Sequence, residues 1–475
     1  MNKNQTIGII GAGPAGLTAG YELAKKGFNV TVFESQDSVG GMSKTIKLWG
    51  QLVDLGPHRF FSKDTRVNKL WLEIIKDNYS MINRLTRIYY NDNFFYYPLK
   101  AFNVVRGLGI FNSILCITSY LKSKILIKKD TSTFDTWVSD KFGERLFNIF
   151  FKSYSEKLWG IDCKEIDSDF AIQRIKKLSL FEAVKSIFTK KSTLKHKTLV
   201  DAFAYPHLGT GDVYNRMSKK IVELGGKILL NSQINEINND PLTDKFIIKT
   251  VNGENQIFDK LISSMPITKL IELLNAPIDI RNYAKALTFR NTILVYLRIN
   301  NKKLFPDQWI YVHSDKVRTG RITNFRNWVE NINCGLEDTI VCLEYWCNNS
   351  DQIWIDDKKD LINLAKNEIT KILPIKINDI IDGEVIRIPK CYPVYKTGYK
   401  KYLKPVEEFL SKKKNLSVVG RYGAFKYNNQ DHSILMGILA AENISDKKNH
   451  NLWEINNDYI YQEETVIEAT GLKKI

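Results

Sequence analysis

The chain has 475 residues, 44% of them apolar, and a formal net charge of +17. That length exceeds what one simple core fills, so two or three domains are expected, and the apolar fraction is ample to fill them. The six cysteines, Cys116, Cys163, Cys334, Cys342, Cys347 and Cys391, show no CxxC spacing, which argues against both a disulfide framework and a zinc site.

The excess positive charge admits three readings: an anionic ligand, an anionic membrane surface, or a lysine-rich composition with no role at all. Lysines gather at 122–129 and 176–197 without the alternating aromatics that would stack bases, so no nucleic-acid partner is expected.

Residues 7–41 read IGIIGAGPAGLTAGYELAKKGFNVTVFESQDSVGG: an apolar strand, a glycine turn, a small-residue helix, a strand closing on an acid, and a glycine pair. Gly11, Gly13 and Gly16 suit a turn where backbone N–H groups and a helix N-terminus approach a pyrophosphate, because side chains at the first two positions would hold phosphates off. Glu34, about twenty residues on, is placed to accept hydrogen bonds from a ribose diol. Gly40 and Gly41 just after the acid are an extension typical of flavin-binding rather than NAD-binding chains. The first strand begins by Thr6, leaving no room for a signal peptide, so a cytoplasmic protein is expected.

Apolar spacing of three and four then predicts helices over 67–82, 102–126 and 134–151. The apolar run 107–121 falls short of the ~20 residues a spanning helix needs, and it holds Asn112, Ser113, Thr118 and Ser119. A buried helix is expected there, with peripheral membrane contact as the alternative given the flanking lysines. From Gly225 the texture changes to strands: KILLNSQINEI, FIIKTV, a turn at Asn252-Gly253 and LISSMP, a hairpin expected to join the first sheet. Residues 287–347 alternate again, a helix over 360–373 follows, and an extended stretch covers 385–393, together reading as a second sheet over the ligand. The chain returns through the apolar LSVVG to Gly420 and Arg421 and a helix over 433–443, the sign of a discontinuous nucleotide domain.

The expected architecture is therefore α/β. A discontinuous Rossmann-type FAD-binding domain (1–65, 198–275 and 408–450) holds an inserted helical domain (66–197) and a second, antiparallel-sheet substrate domain (276–407), with 451–475 as a C-terminal extension.

Four segments concentrate chemistry-bearing side chains. LGPHRFFSKD places His58 after a Gly-Pro turn with Phe60 and Phe61 behind it, and FKSYSEKLWG offers Tyr154 and Trp159. GRITNFRNW supplies Arg321 and Arg326, and GRYGAFKYNNQDH supplies Arg421, Tyr427, Asn429, Asp431 and His432. Guanidinium and phenol groups from separate segments suit a diphosphate. Taken singly, a structural histidine, core aromatics and solvated charges are the simpler readings.

As an ordered set these segments resemble the flavin-dependent UDP-galactopyranose mutases. GPHRF at 56–60 resembles that family's GPHxF loop, INRLTRIYYNDNFFYYPL at 82–99 its stretch ending in a proline, and FFKSYSEKLWG its YTxKxWG helix. YPVYKTGYKKYL at 392–403 is similar to its YPI or YPV segment, and GRYGAFKYNNQD to its terminal GRLGxYxYYDMD motif. The resemblance implies a nucleotide-sugar mutase that interconverts pyranose and furanose forms for surface polysaccharide synthesis. Reduced FAD would be the nucleophile at the anomeric carbon, with NADPH, NADH or a flavodoxin as reductant. It places His58 beside the isoalloxazine and Phe61, Tyr154 and Trp159 around the nucleobase or sugar. Tyr392 and Tyr427 would donate to the diphosphate, Arg174 and Arg321 would be its arginines, and Arg421 and Asp431 would contact the flavin. Asn429 stands where that family has an acid and Gln430 where it has methionine, so a charged acceptor near the sugar becomes neutral, which bears on the substituent tolerated. The rival reading is an oxidoreductase of the amine-oxidase and protoporphyrinogen-oxidase type, which shares the FAD domain. A flavin-free protein-binding module of the GDP-dissociation-inhibitor kind is disfavoured by the intact Gly11, Glu34 and Gly40-Gly41 set.

Overall fold

The strand Thr6–Ile10 lies at the centre of a five-stranded sheet in which every neighbouring pair is parallel, as the computed structural model shows. Residues 4–126, 130–175, 201–240, 242–253, 255–456 and 470–472 are described. The sheet's order is Leu416–Val418, Lys260–Ser263, Thr6–Ile10, Asn29–Phe33 and Lys227–Leu229, so its strands come from widely separated stretches of chain. Parallel strands need covered faces, and the helices Pro14–Lys25, Gly211–Glu223 and Gln430–Ser445 bury apolar side chains in one shared core against the sheet. Pro14–Lys25 and Gln430–Ser445 approach at backbone contact, for a Cβ on Gly437 would lie 2.5 Å from the Ala15 carbonyl oxygen.

The second sheet has seven strands, in the order Ile380–Pro393, Phe289–Ile299, Thr339–Cys347, Arg321–Asn324, Trp309–Val312, Thr86–Tyr90 and Asn93–Tyr96. All its pairs are antiparallel except Trp309–Val312 with Thr86–Tyr90. The last two strands fall within the 66–197 segment expected to be an inserted helical domain, between two of its expected helices. Asn91 and Asp92, at φ 45° and 60°, make the tight turn that folds them into a hairpin.

Other expectations are corrected in the same way. The helix over 67–82 ends at Ile75, where Lys76 turns to φ 54°, and Tyr79–Asn83 becomes a strand paired with Ala202–Pro206. The helical run 102–126 breaks at Gly109 (φ 78°) into Ala101–Leu108 and Ile110–Ile125. The second of these is not the buried helix expected, since only Ser113 and Cys116 on it are buried. The run 134–151 divides at Gly143 and passes through a π-turn, Asn148–Lys152, before the helix Ser153–Trp159. Of the stretch expected to join the first sheet, Lys227–Leu229 and Lys260–Ser263 do so, while strands Ile234–Asn239, Phe246–Thr250 and Asn255–Phe258 form their own antiparallel sheet. The lysine-rich stretch 176–197 and most of the C-terminal extension lie outside the described residues.

Candidate functional site

The turn after Thr6–Ile10 is shaped by its glycines. Gly11 sits at φ +96°, and a Cβ there would lie 2.3 Å from Ser264 Oγ. A Cβ on Gly16 would lie 1.9 Å from the Gly11 carbonyl oxygen, so Gly16 serves the packing of helix on turn. Gly13 differs: a Cβ there would meet no described atom nearer than the Gly41 Cα at 3.9 Å. Its small size is not required by the protein's own packing, and the free space in front of the helix N-terminus is that of a cradle for a pyrophosphate. Glu34, nearly buried at the end of Asn29–Phe33, accepts from the Ala12 N–H (2.9 Å) and the Gln36 N–H (3.0 Å). Those bonds fix the carboxylate and leave lone pairs for a ribose diol. Gly40 and Gly41, at φ +106° and +55°, carry the following loop back against this turn, the Gly40 N–H donating to the Ala12 carbonyl at 2.8 Å.

A cavity of about 1470 Å³ runs from this turn to the second sheet. Of the residues singled out by sequence, Gly11, Gly13, Glu34 and Gly41 line its nucleotide end, and His58, Phe61, Tyr154, Arg321, Arg421, Tyr427 and Asn429 line the rest. Gly16, Gly40, Trp159, Tyr392 and Asp431 do not line it. Arg174 falls on the helix Ser168–Ile175, but its side chain is outside the described residues.

The two arginines are held differently. Arg321 forms a two-pronged pair with Glu344, Nε to Oε1 and Nη2 to Oε2, both at 2.6 Å. Burial works against its charge, the Glu344 carboxylate outweighs burial, and the guanidinium stays cationic. Arg421 has no carboxylate partner among the described residues. Its guanidinium carbon lies 4.5 Å from the Tyr392 ring centroid and 4.6 Å from that of Tyr427, and its buried Nε has no hydrogen-bond acceptor. Tyr392 is thus a buried platform behind Arg421 and Tyr427, stacked on the latter at 5.5 Å. Trp159 packs one layer deeper, against Phe170, Tyr395 and Tyr427. Trp159 and Tyr392 are both buried behind residues that line the cavity and do not line it themselves.

Asn429 caps the helix Gln430–Ser445 through a reciprocal pair of bonds with His432. Asp431, in the first turn, is buried beside His432, where the helix dipole favours a carboxylate. Gln430 ties this helix to the His58 loop, its Nε2 donating to the Arg59 carbonyl at 2.9 Å while its Oε1 accepts from the Tyr214 hydroxyl at 2.8 Å.

Sequence reasoning missed several contributors. Glu344 is the one charged residue in the buried strand Thr339–Cys347, and that isolation was the available signal. Tyr311 and His313 also line the cavity, His313 stacking on Tyr154 at 4.9 Å. Lys157 holds the following loop by donating to the carbonyls of Val312, Ser314 and Thr319, and burial lowers its pKa to about 8.

His58 is neutral: burial, then the charges of Arg321 and Arg421, push its pKa down to about 3, and its buried Nδ1 has no partner. The folded value lies below the ordinary 6.5. Its contribution to stability is therefore complete above that pH and is lost as pH falls from there toward the folded value. The urea midpoint is expected to be lower at about pH 5 than at about pH 8, and His58→Gln to narrow that gap; an unchanged gap would contradict the assignment. The free Nδ1 of His58, the free Nε of Arg421 and the Gly13 cradle together fit a flavin dinucleotide.

Residues 14–445 match the family described as flavin containing amine oxidoreductase. Among curated proteins, the chain is 26% identical to a probable UDP-galactopyranose mutase of Klebsiella pneumoniae over 34% of this chain and 43% of that one. It is 22% identical to coproporphyrinogen III oxidase of Staphylococcus aureus (strain NCTC 8325 / PS 47) over 93% of this chain and 99% of that one. The chain spans only 11%, 16% and 43% of the length of the first three curated relatives it matches. A crystal structure of reduced UDP-galactopyranose mutase superposes with a TM-score of 0.84 at 21% identity, covering 96% of each chain. A putative protoporphyrinogen oxidase from Exiguobacterium sp. 255-15 gives 0.72 at 14% identity, with 94% of this chain and 99% of that one covered. These structural likenesses fix the fold.

Proposed function

Because the chain belongs to the flavin containing amine oxidoreductase family, we propose that it binds FAD in the 6–41 turn and uses it to isomerise a nucleotide sugar between pyranose and furanose forms. The observation that carries this reading is Arg421, a cationic group without an acid partner among the described residues, in the same cavity as Arg321 and continuous with the dinucleotide turn. Such a cavity favours an anionic substrate and disfavours an ammonium one.

Gly11, Gly13 and the N-terminus of Pro14–Lys25 would hold the pyrophosphate of the cofactor, and Glu34 its ribose. A reduced flavin, when bound, supplies an electron-rich nitrogen able to displace a diphosphate from an anomeric carbon. The protein's own residues do the rest. Arg321 and Arg421 take up the charge that develops on the departing diphosphate, and Tyr427 and Tyr154 orient the substrate between them. Neutral His58 gives a hydrogen-bonding wall that adds no charge.

The coproporphyrinogen III oxidase likeness, which covers nearly the whole of both chains, favours a second reading, oxidation of a polyanionic substrate in the same cavity. One experiment separates the two. Dithionite-reduced protein is incubated anaerobically with a panel of nucleotide hexopyranoses, and the products are resolved by chromatography and NMR. The mutase reading expects furanose product from the reduced protein, none from the oxidised one, and no change in flavin redox state. Absence of furanose across the panel, together with oxygen uptake on a porphyrinogen, would replace it with the oxidase reading.

A further inference from the structure

The helix Ile110–Ile125 is amphipathic in the wrong sense for a helix folded onto its own core. Its buried positions are the small Ser113 and Cys116, while Ile110, Ile114, Ile117, Leu121 and Ile125 recur at steps of four and three along the exposed side. Phe111 is 75% exposed and Ile125 80%, and Phe102 on the preceding helix, Ala101–Leu108, is 77% exposed. Scattered exposed apolar residues need no explanation, but a continuous stripe two helices long does.

The charge around the stripe points to what covers it. From Asn93 to Lys129 the chain holds no aspartate or glutamate, yet it holds Lys100, Arg106, Lys122, Lys124, Lys128 and Lys129. Lys100, Arg106, Lys122 and Lys124 are exposed on or beside the two helices. A second copy docked symmetrically on this face would set these cations against their own counterparts. No described helix is long and apolar enough to cross a membrane. We infer that Ala101–Leu108 and Ile110–Ile125 form a docking face for an anionic lipid bilayer, the isoleucines and phenylalanines entering the acyl boundary while the basic side chains meet the head groups. Tyr97, Pro98 and Leu99 line the cavity and lead directly into Ala101–Leu108, so this face adjoins the wall of the candidate site.

The test is co-sedimentation of the full chain with vesicles of phosphatidylcholine alone and of equal parts phosphatidylcholine and phosphatidylglycerol, at low and raised salt. Two variants accompany it, Phe111→Ser/Ile114→Ser/Leu121→Ser and Arg106→Glu/Lys122→Glu, all at exposed positions, with thermal melts and flavin content as checks of folding. Expected is pelleting with the anionic vesicles only, weakened by salt and reduced at least about tenfold by either variant. Binding that survives the serine variant would mean attraction by net charge alone and would overturn the assignment. So would a chain that ignores anionic vesicles, or one that is dimeric and becomes monomeric in the serine variant without binding lipid.

Discussion

Gly13→Ala is expected to give a protein that folds as the parent does and is recovered colourless. At Gly13 the backbone is at φ −82°, ψ −176°, open to any residue, and the added methyl would come no closer to a described atom than 3.9 Å. The melting temperature of the variant should therefore match that of the parent stripped of flavin. The methyl instead occupies the approach of the pyrophosphate to the turn, and a hundredfold loss of FAD affinity, about 3 kcal/mol, is a modest estimate for blocking it. Absorbance of the purified protein and FAD titration of the apoprotein measure the effect. Gly16→Ala is the contrast, because its methyl would strike the Gly11 carbonyl oxygen at 1.9 Å, so that variant is expected to lose the fold of the turn along with the flavin. A yellow, stoichiometrically loaded Gly13→Ala protein would remove the dinucleotide assignment.

Arg321→Ala carries the second large effect, in two parts that can be separated. If the guanidinium meets the charge developing on a departing diphosphate, turnover falls by about a hundred- to a thousandfold. Stability falls too, because Glu344 has a side chain only 2% exposed and takes both its side-chain hydrogen bonds from Arg321. Stranding a buried carboxylate costs about 3–5 kcal/mol. Replacing both partners, Arg321→Met with Glu344→Leu, should recover most of that stability in urea melts and none of the turnover. Near-normal activity in Arg321→Ala, or activity that returns with stability in the double variant, would show the pair to be scaffolding alone.

The nucleotide end of the site was legible because its constraints are local. Gly11, Gly13 and Glu34 are separated by one helix and one strand, and the spacing within that short stretch predicts the βαβ turn with an acid at the end of its second strand that the structure shows. The second sheet was legible as alternation in ILVYLRI, WIYVH and IVCLEYWC, but its membership was not. Thr86–Tyr90 and Asn93–Tyr96 join it through pairing with Trp309–Val312, more than two hundred residues away, and no local pattern encodes so distant a neighbour. The misread stretch 67–82 has a similar cause. Tyr79 and Ile82 happen to continue the helical spacing of Leu70, Ile74 and Ile75, while in the structure they belong to a strand paired opposite Pro206 and Phe203. Trp159 and Tyr392 were recognised as belonging to the site, yet depth is a property of packing, and the sequence could not say that each stands behind Tyr427. Asn429 was legible as a position where chemistry could change, but its capping of Gln430–Ser445 depends on where that helix starts, and the expected start was three residues late.

The close crossing at Gly437 has a bearing on how the protein comes into being. The helix seated against Pro14–Lys25 leaves the ribosome long after it, and the edge strand Leu416–Val418 precedes that helix only slightly. The face of Pro14–Lys25 thus waits for an element over four hundred residues further along the chain before it is covered, a separation whose closure is entropically slow. A nascent or truncated chain ending before Leu416 carries the complete glycine turn and still lacks the sheet edge and the helix that cover it. Cofactor loading is accordingly expected only once Gln430–Ser445 has been made, not on synthesis of the glycine turn alone.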